Sequence, residues 1–204
     1  MKNKTKNGYT LIELLAVIII LVAVGSIVTS ILTSVLRASN KSTTLEEVRS
    51  NGNNAIAQMS KMITYAQKLD GVSCDGTTYY SDCVSQPALG CTSASGLTQY
   101  HYLQIKSFDG GTTTFACSDS KIASQSSAIA PGGDPCPIGS NCSSLVDPSL
   151  TAACYFNCSQ ESAAAPAKID IFLDLKARSN TIFSESQAEL PFETSVVIRN
   201  SGDR

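Results

Sequence analysis

The sequence predicts an α+β protein: one long N-terminal helix, membrane-spanning in its first half, packed on an antiparallel β-sheet head with disulfide-bonded loops. Three observations carry this prediction. The N-terminal third holds an uncharged apolar run and then apolar residues at helical spacing. Later segments alternate apolar and polar residues at the period of a strand. All eight cysteines fall between Cys74 and Cys158. A chain of 204 residues has room for one ordinary domain and an appendage.

Composition removes several function classes. Charged residues make up 16% and the formal net charge is -2, so no basic surface points to nucleic acid. The single histidine, His101, lies between two tyrosines on a predicted strand and reads as structural; it cannot supply a His-built metal site. No nucleophile elbow, phosphate loop or carboxylate pair with recognisable context is present, and the chain is not read as an enzyme. No cofactor is expected.

The apolar run defines a membrane segment. Leu14 to Leu36 is 23 uncharged residues, roughly 34 Å of helix at 1.5 Å per residue, enough to cross a bilayer. Its serines and threonines are able to bond back to helix carbonyls, which makes them compatible with insertion. Lys2, Lys4 and Lys6 flank one side and Arg37, Lys41 and Arg49 the other, close to a tie under the positive-inside rule. The cysteines break the tie, because eight of them beyond the helix suit an oxidising space. The N-terminus is therefore placed in the cytoplasm and the rest outside. A cleaved secretory signal fits less well, because the run is long and no small-x-small site follows its most apolar part. Glu13 stands at the mouth of the run. It either wets an interface or awaits a cationic partner within the membrane.

Gly8-Tyr9-Thr10-Leu11-Ile12-Glu13, preceded by a short basic leader and followed at once by the apolar helix, resembles the prepilin signature of type IV pilins and type II secretion pseudopilins. The match covers about thirty residues of the chain. It implies cleavage after Gly8 by the prepilin peptidase and N-methylation of Tyr9 as the new N-terminus. Most relatives carry Phe where Tyr9 stands. The resemblance also implies that Glu13 serves assembly, offsetting the amine of a neighbouring subunit in low dielectric, where an unpaired charge is penalised. The implied partners are other pilin or pseudopilin subunits, met through the N-terminal helix, the prepilin peptidase and the inner-membrane assembly platform. No proline lies between Gly8 and Pro87, so the mid-helix proline of many major pilins is absent. Pro191 to Asn200 resembles the last strand of minor pilins and pseudopilins of the J or W kind.

These readings divide the chain into a leader at 1–8, a transmembrane or filament-core helix at 9–36, an exposed half of the helix at 37–69 and a β-rich head at 70–204. Leu45, Val48, Ile56, Met59, Ile63 and Ala66 form the head-facing stripe, apart from a step across Gly52. Asn51-Gly52-Asn53-Asn54 predicts a bend or break. In the head, Tyr100–Lys106 and Thr112–Ala116 flank Asp109-Gly110-Gly111 as a hairpin. Lys168–Leu175 and Phe192–Ile198 read as strands, Ala152–Phe156 as a short one, and Ser118–Cys158 otherwise as loop.

Cys74, Cys83, Cys91, Cys117, Cys136, Cys142, Cys154 and Cys158 read as disulfides of open connectivity, with Cys136–Cys142 one plausible close pair. A four-thiolate zinc site from Cys136, Cys142, Cys154 and Cys158 is the rival, but it lacks a Cys-x2-Cys knuckle. Asp70, Asp75 and Asp82 are a weak candidate for calcium, without the spacing of an EF-hand loop. The function expected is a minor pilin or pseudopilin, anchored once in the inner membrane with its head outside the cytoplasm and built into a pilus or pseudopilus. The alternatives are a single-span adhesin or receptor that never polymerises, and a secreted enzyme with an unrecognised site.

Overall fold

A run of Leu, Ile, Val and Ala without proline has every local reason to be helical. In the computed structural model it forms α1, one continuous helix from Leu11 to Thr64. The structure describes residues 10–84, 91, 98–118, 120–127, 143–162, 165–177 and 187–199. Thr10 is extended and caps α1, its Oγ1 accepting from the Glu13 N–H at 3.4 Å. At the other end the Tyr65 N–H bonds Lys61 C=O, and the Gln67 N–H donates to Lys106 C=O at 2.8 Å. That bond directs the chain into the head.

Eight strands follow: β1 (Lys68–Ser73), β2 (Tyr102–Lys106), β3 (Thr112–Ser118), β4 (Lys121–Ser127), β5 (Ser143–Ser144), β6 (Leu150–Ser159), β7 (Lys168–Ala177) and β8 (Glu189–Val197). The first five form an antiparallel meander in chain order, and β6-β7-β8 form a second antiparallel sheet. The sheets join where Tyr100 and Phe156 exchange backbone bonds of 2.9 and 2.8 Å. The expected β2–β3 hairpin is present. Gly110 takes φ 82°, a conformation glycine adopts without a Cβ penalty, and Asp109 Oδ1 accepts from the Gly111 N–H.

The core lies between the second half of α1 and the inner faces of the sheets. Val48, Gly52, Ala55, Met59 and Ile63 are the buried residues of α1, spaced by fours and threes along one face. Ile169, Ile171, Leu173 and Leu175 are buried in strict alternation on β7. Leu190, Phe192 and Val196 of β8 turn to the same side.

Three expectations are corrected. The bend at Asn51–Asn54 does not occur. Gly52 is instead the seat of Phe192: a Cβ added there would lie 2.6 Å from Phe192 Cε1. The step across Gly52 was thus part of the stripe, with Gly52 and Ala55 filling it and Ile56 only half-buried at its rim. The helix ends at Thr64, and 68–73 is already strand. Much of Ser118–Cys158 is not loop: β4 and β6 lie within it. β4 (KIASQSS) is polar and buries only Ile122 among its large side chains, so pairing with β3 rather than apolar alternation makes it a strand.

Cys74 and Cys91, Cys83 and Cys158, and Cys117 and Cys154 stand at disulfide distance, with Cα separations of 5.5, 5.4 and 5.5 Å. Cys117 on β3 and Cys154 on β6 tie one sheet to the other. Cys154 and Cys158 therefore belong to other partners than the imagined thiolate site; Cys136 and Cys142 lie outside the described residues.

Two predictions follow from this packing. Gly52→Ala lowers stability by about 1 kcal/mol although alanine is the better helix former, because the ring of Phe192 must shift. In a Phe192→Ala background the same substitution raises stability by about 1 kcal/mol, since only the helix-propensity gain remains. Denaturant unfolding of the four variants measures the cycle. For the cysteines, loop closure over separations of 17 and 75 residues corresponds to about 3 and 4.5 kcal/mol respectively. Replacing Cys83 and Cys158 together by Ala therefore costs more than replacing Cys74 and Cys91. All six thiols resist alkylation until reductant is added, as read by mass spectrometry.

Candidate assembly surface

From Leu11 to Leu36 every large apolar side chain of α1 is half or more exposed, from Leu11 at 83% to Val17 at 50%. This surface runs all round the helix. It far exceeds the few hundred Å² of contiguous apolar patch, roughly, that a soluble monomer shows. α1 thus contains one segment long and apolar enough to cross a membrane once.

Three of the five hydroxyl side chains inside the segment bond back to the helix. Ser26 Oγ donates to Ala23 C=O at 2.8 Å, Thr29 Oγ1 to Gly25 C=O at 2.8 Å, and Thr33 Oγ1 to Ser30 C=O at 2.9 Å. The back-bonding anticipated from sequence is therefore present, and these hydroxyls bring little unmet polarity into an apolar surrounding.

Glu13 occupies the first turn of α1, where a negative side chain meets the positive end of the helix dipole. Thr10 and Glu13 stand at the spacing of a capping box, a signal readable in Thr10-Leu11-Ile12-Glu13 and missed as such in the sequence reading. The Glu13 N–H is held by both Thr10 Oγ1 and Thr10 C=O, the latter at 3.1 Å. Gly8 and Tyr9 lie outside the described residues.

Between Leu36 and the first buried head-facing residue, Val48, α1 is a polar neck about 18 Å long at 1.5 Å per residue. Thr43 and Thr44 hydroxyls bond the Ser39 and Asn40 carbonyls at 3.0 Å each. Where the neck enters the head, Asn51 Oδ1 accepts from the Asp147 N–H at 3.2 Å and Glu47 Oε1 from the Ser149 hydroxyl at 3.3 Å. These bonds clamp the β5–β6 connection to the helix; no sequence motif announced them.

The weaker candidates separate in space. Asp75 spends its carboxylate on a turn: Thr77 Oγ1 donates to Oδ2 at 2.5 Å, and the Thr77 and Thr78 N–H groups and Ser73 Oγ donate to Oδ1 at 3.0, 3.1 and 3.0 Å. Asp82 Oδ1 accepts from the Val84 N–H at 3.0 Å, and Asp70 sits at the irregularity in β1. No group of three or more His, Cys, Asp or Glu side chains converges among the described residues. His101 is exposed, and its backbone bonds Ser73 and Cys117. Nearby, burial pushes the Tyr79 hydroxyl up to about 12, helped by Tyr102 and Asp75.

Comparison of the chain with models of known families, with curated proteins and with solved structures finds no match.

The Asp75 turn yields a pH prediction. The Thr77 hydroxyl above all, then the Thr77 and Thr78 amides, hold the Asp75 carboxyl well below the usual carboxylate range. A depressed folded value means that the contribution to stability is complete above the unfolded value of about 4 and is lost as pH falls. Asp75→Asn is therefore less stable than the parent at pH 6. Its stability also falls less between about pH 5 and pH 2, as measured by thermal unfolding across that range.

Proposed function

We propose that the chain is a minor pilin or pseudopilin, a structural subunit built into a type IV pilus or type II secretion pseudopilus through its N-terminal helix. The observation that carries this reading is the bare first half of α1, apolar on every side, headed by Thr10 and Glu13 and continuous with a helix whose second half is locked into the head. On this reading Leu14–Leu36 anchors the precursor in the inner membrane, with the head outside the cytoplasm at the end of its neck. Prepilin peptidase cleaves after Gly8, and Tyr9 becomes a methylated N-terminus. The assembly platform then moves the helix from lipid into a bundle of like helices, where both surroundings are apolar and the transfer costs little. Glu13 supplies the one acidic group near the start of that bundle and offsets the amine of a neighbour. A paired charge there is tolerable and an unpaired one is not. Disulfides at six described cysteine positions suit a head outside the cytoplasm.

The same bare helix serves a single-span adhesin or receptor that never polymerises, and one experiment separates the two. Intact mass of the envelope protein is expected to give a chain beginning at a methylated Tyr9. Glu13→Ala and Glu13→Gln are expected to insert and mature normally, yet to fall about tenfold or more in sheared filaments, normalised to membrane level. Gln keeps shape and hydrogen bonding but brings no charge. A mature chain that retains Met1–Gly8 and is absent from sheared filaments establishes the non-polymerising reading instead, whereas normal filament content of both variants removes the assembly role given to Glu13.

A further inference from the structure

We propose that the outer edge of β8, unpaired among the described residues, is a docking strand for an extended, basic peptide segment of another protein. Two bonds fix which backbone groups β8 leaves open. The Ala177 N–H donates to Ala188 C=O at 2.9 Å, and the Ile198 N–H donates to Ala167 C=O at 3.0 Å. Both continue the register that sets Glu189 opposite Lys176 and Val197 opposite Lys168. Antiparallel pairing alternates, so the even-numbered residues of β8 spend their N–H and C=O groups on β7. The odd-numbered residues turn theirs away from it. β8 is the outer strand of its sheet, and no hydrogen bond from a described residue reaches these outward groups.

Pro191 is consistent with this parity, because at an odd position its missing N–H costs no ladder bond. Proline blunts an edge, and it does so at this end of β8. Beyond it the strand runs without a register shift from Glu193 to Val197. There Glu193, Ser195 and Val197 each present an N–H and a C=O at the spacing of an incoming strand.

Charge names the occupant. Lys168 pairs with Asp170 at 3.0 Å and Lys176 with Glu189 at 3.5 Å, so both lysines of this face are engaged. Glu193 is exposed and has no cation among the described residues. A Lys or Arg directly opposite it in the added strand completes a cross-strand pair. Val197, 44% exposed, offers an apolar contact further along. A second copy of β8 is the wrong occupant. Antiparallel β8–β8 pairing places a two-fold axis normal to the sheet, which reverses α1, and two reversed helices cannot anchor in one membrane in the same sense. That exclusion rests on the anchored reading of α1; the open edge does not.

The test uses the full chain in detergent micelles and backbone amide exchange by NMR. In the free protein the Glu193, Ser195 and Val197 amides should exchange at least tenfold faster than those of Thr194 and Val196. A seven-residue Thr/Val peptide with a central lysine, at millimolar concentration, should slow those three amides at least tenfold. The same peptide with a central glutamate should bind several-fold more weakly. Ser195→Pro, which repeats the odd position of Pro191, should keep the Thr194 and Val196 protection and abolish peptide binding. Fast and slow amides in the opposite parity, no slowing by the lysine peptide, equal binding by the Ser195→Pro protein, or slowing that tracks protein concentration alone would each overturn the proposal. The last outcome would assign the edge to a second copy. None of these readouts depends on polymerisation.

Discussion

The docking of the second half of α1 onto β7 and β8 is the constraint on which the rest of the structure depends. Val48, Ala55, Met59 and Ile63 are fully buried against an equally buried row, Ile169, Ile171, Leu173 and Leu175. Each of these side chains apart from Ala55 contributes roughly 1.5–3 kcal/mol by leaving water. The close approach is possible because Gly52 gives the ring of Phe192 a place to enter. With this half of the helix fixed, the first half needs no contact with the head to remain a helix. A helix propagates from an ordered turn at far smaller cost than it nucleates, and the apolar residues before Leu36 are good to moderate helix formers. One element thus belongs to two environments, with a polar neck between them.

How much of this was legible follows from which signal each segment carries. The apolar run, β7 and the β2–β3 hairpin were readable because a single period or a single turn residue decides them. Lys168–Leu175 alternates without exception, and Gly110 sits where positive φ is needed. Gly52 was misread because glycine in a helical stretch signals flexibility locally, whereas its use here is tertiary and the ring that fills it lies 140 residues away in the chain. β4 was missed because Ser, Gln and Lys carry no strand signature; its pairing with β3 supplies what its side chains do not. The site at the head of α1 was legible as chemistry, from Thr10 and Glu13, and not as geometry. The cysteines announced a disulfide framework but not its connectivity, since pairing is decided by which strands the sheets bring together.

Those pairings fall at the junction of the two sheets and along the connection between β1 and β2. The two sheets share a seam at Tyr100 and Phe156, and beside it Cys117 and Cys154 bridge β3 to β6. Cys74–Cys91 and Cys83–Cys158 tether the chain between β1 and β2, which carries little regular structure among its described residues. Turn chemistry adds local order there: Asp75 accepts four hydrogen bonds from Ser73, Thr77 and Thr78, which is what a short polar segment offers in place of burial.

The division of labour along α1 also limits what the head has to do. On the proposed function, the helix moves between lipid and a helical bundle, two surroundings of similar polarity, so the driving force of assembly cannot come from burying apolar surface. It has to come from packing and from the few groups that are costly in either place, and Glu13 is the only carboxylate between Thr10 and Thr44. The head is then free to differ in its loops and edges without disturbing the contact that assembles it. A β8 edge that is open, and a Glu193 that lacks a cation, among the described residues are tolerable on such a head for the same reason: the strand is held by β7 on one side and by α1 beneath. It therefore keeps its own register whether or not anything pairs with its outer side.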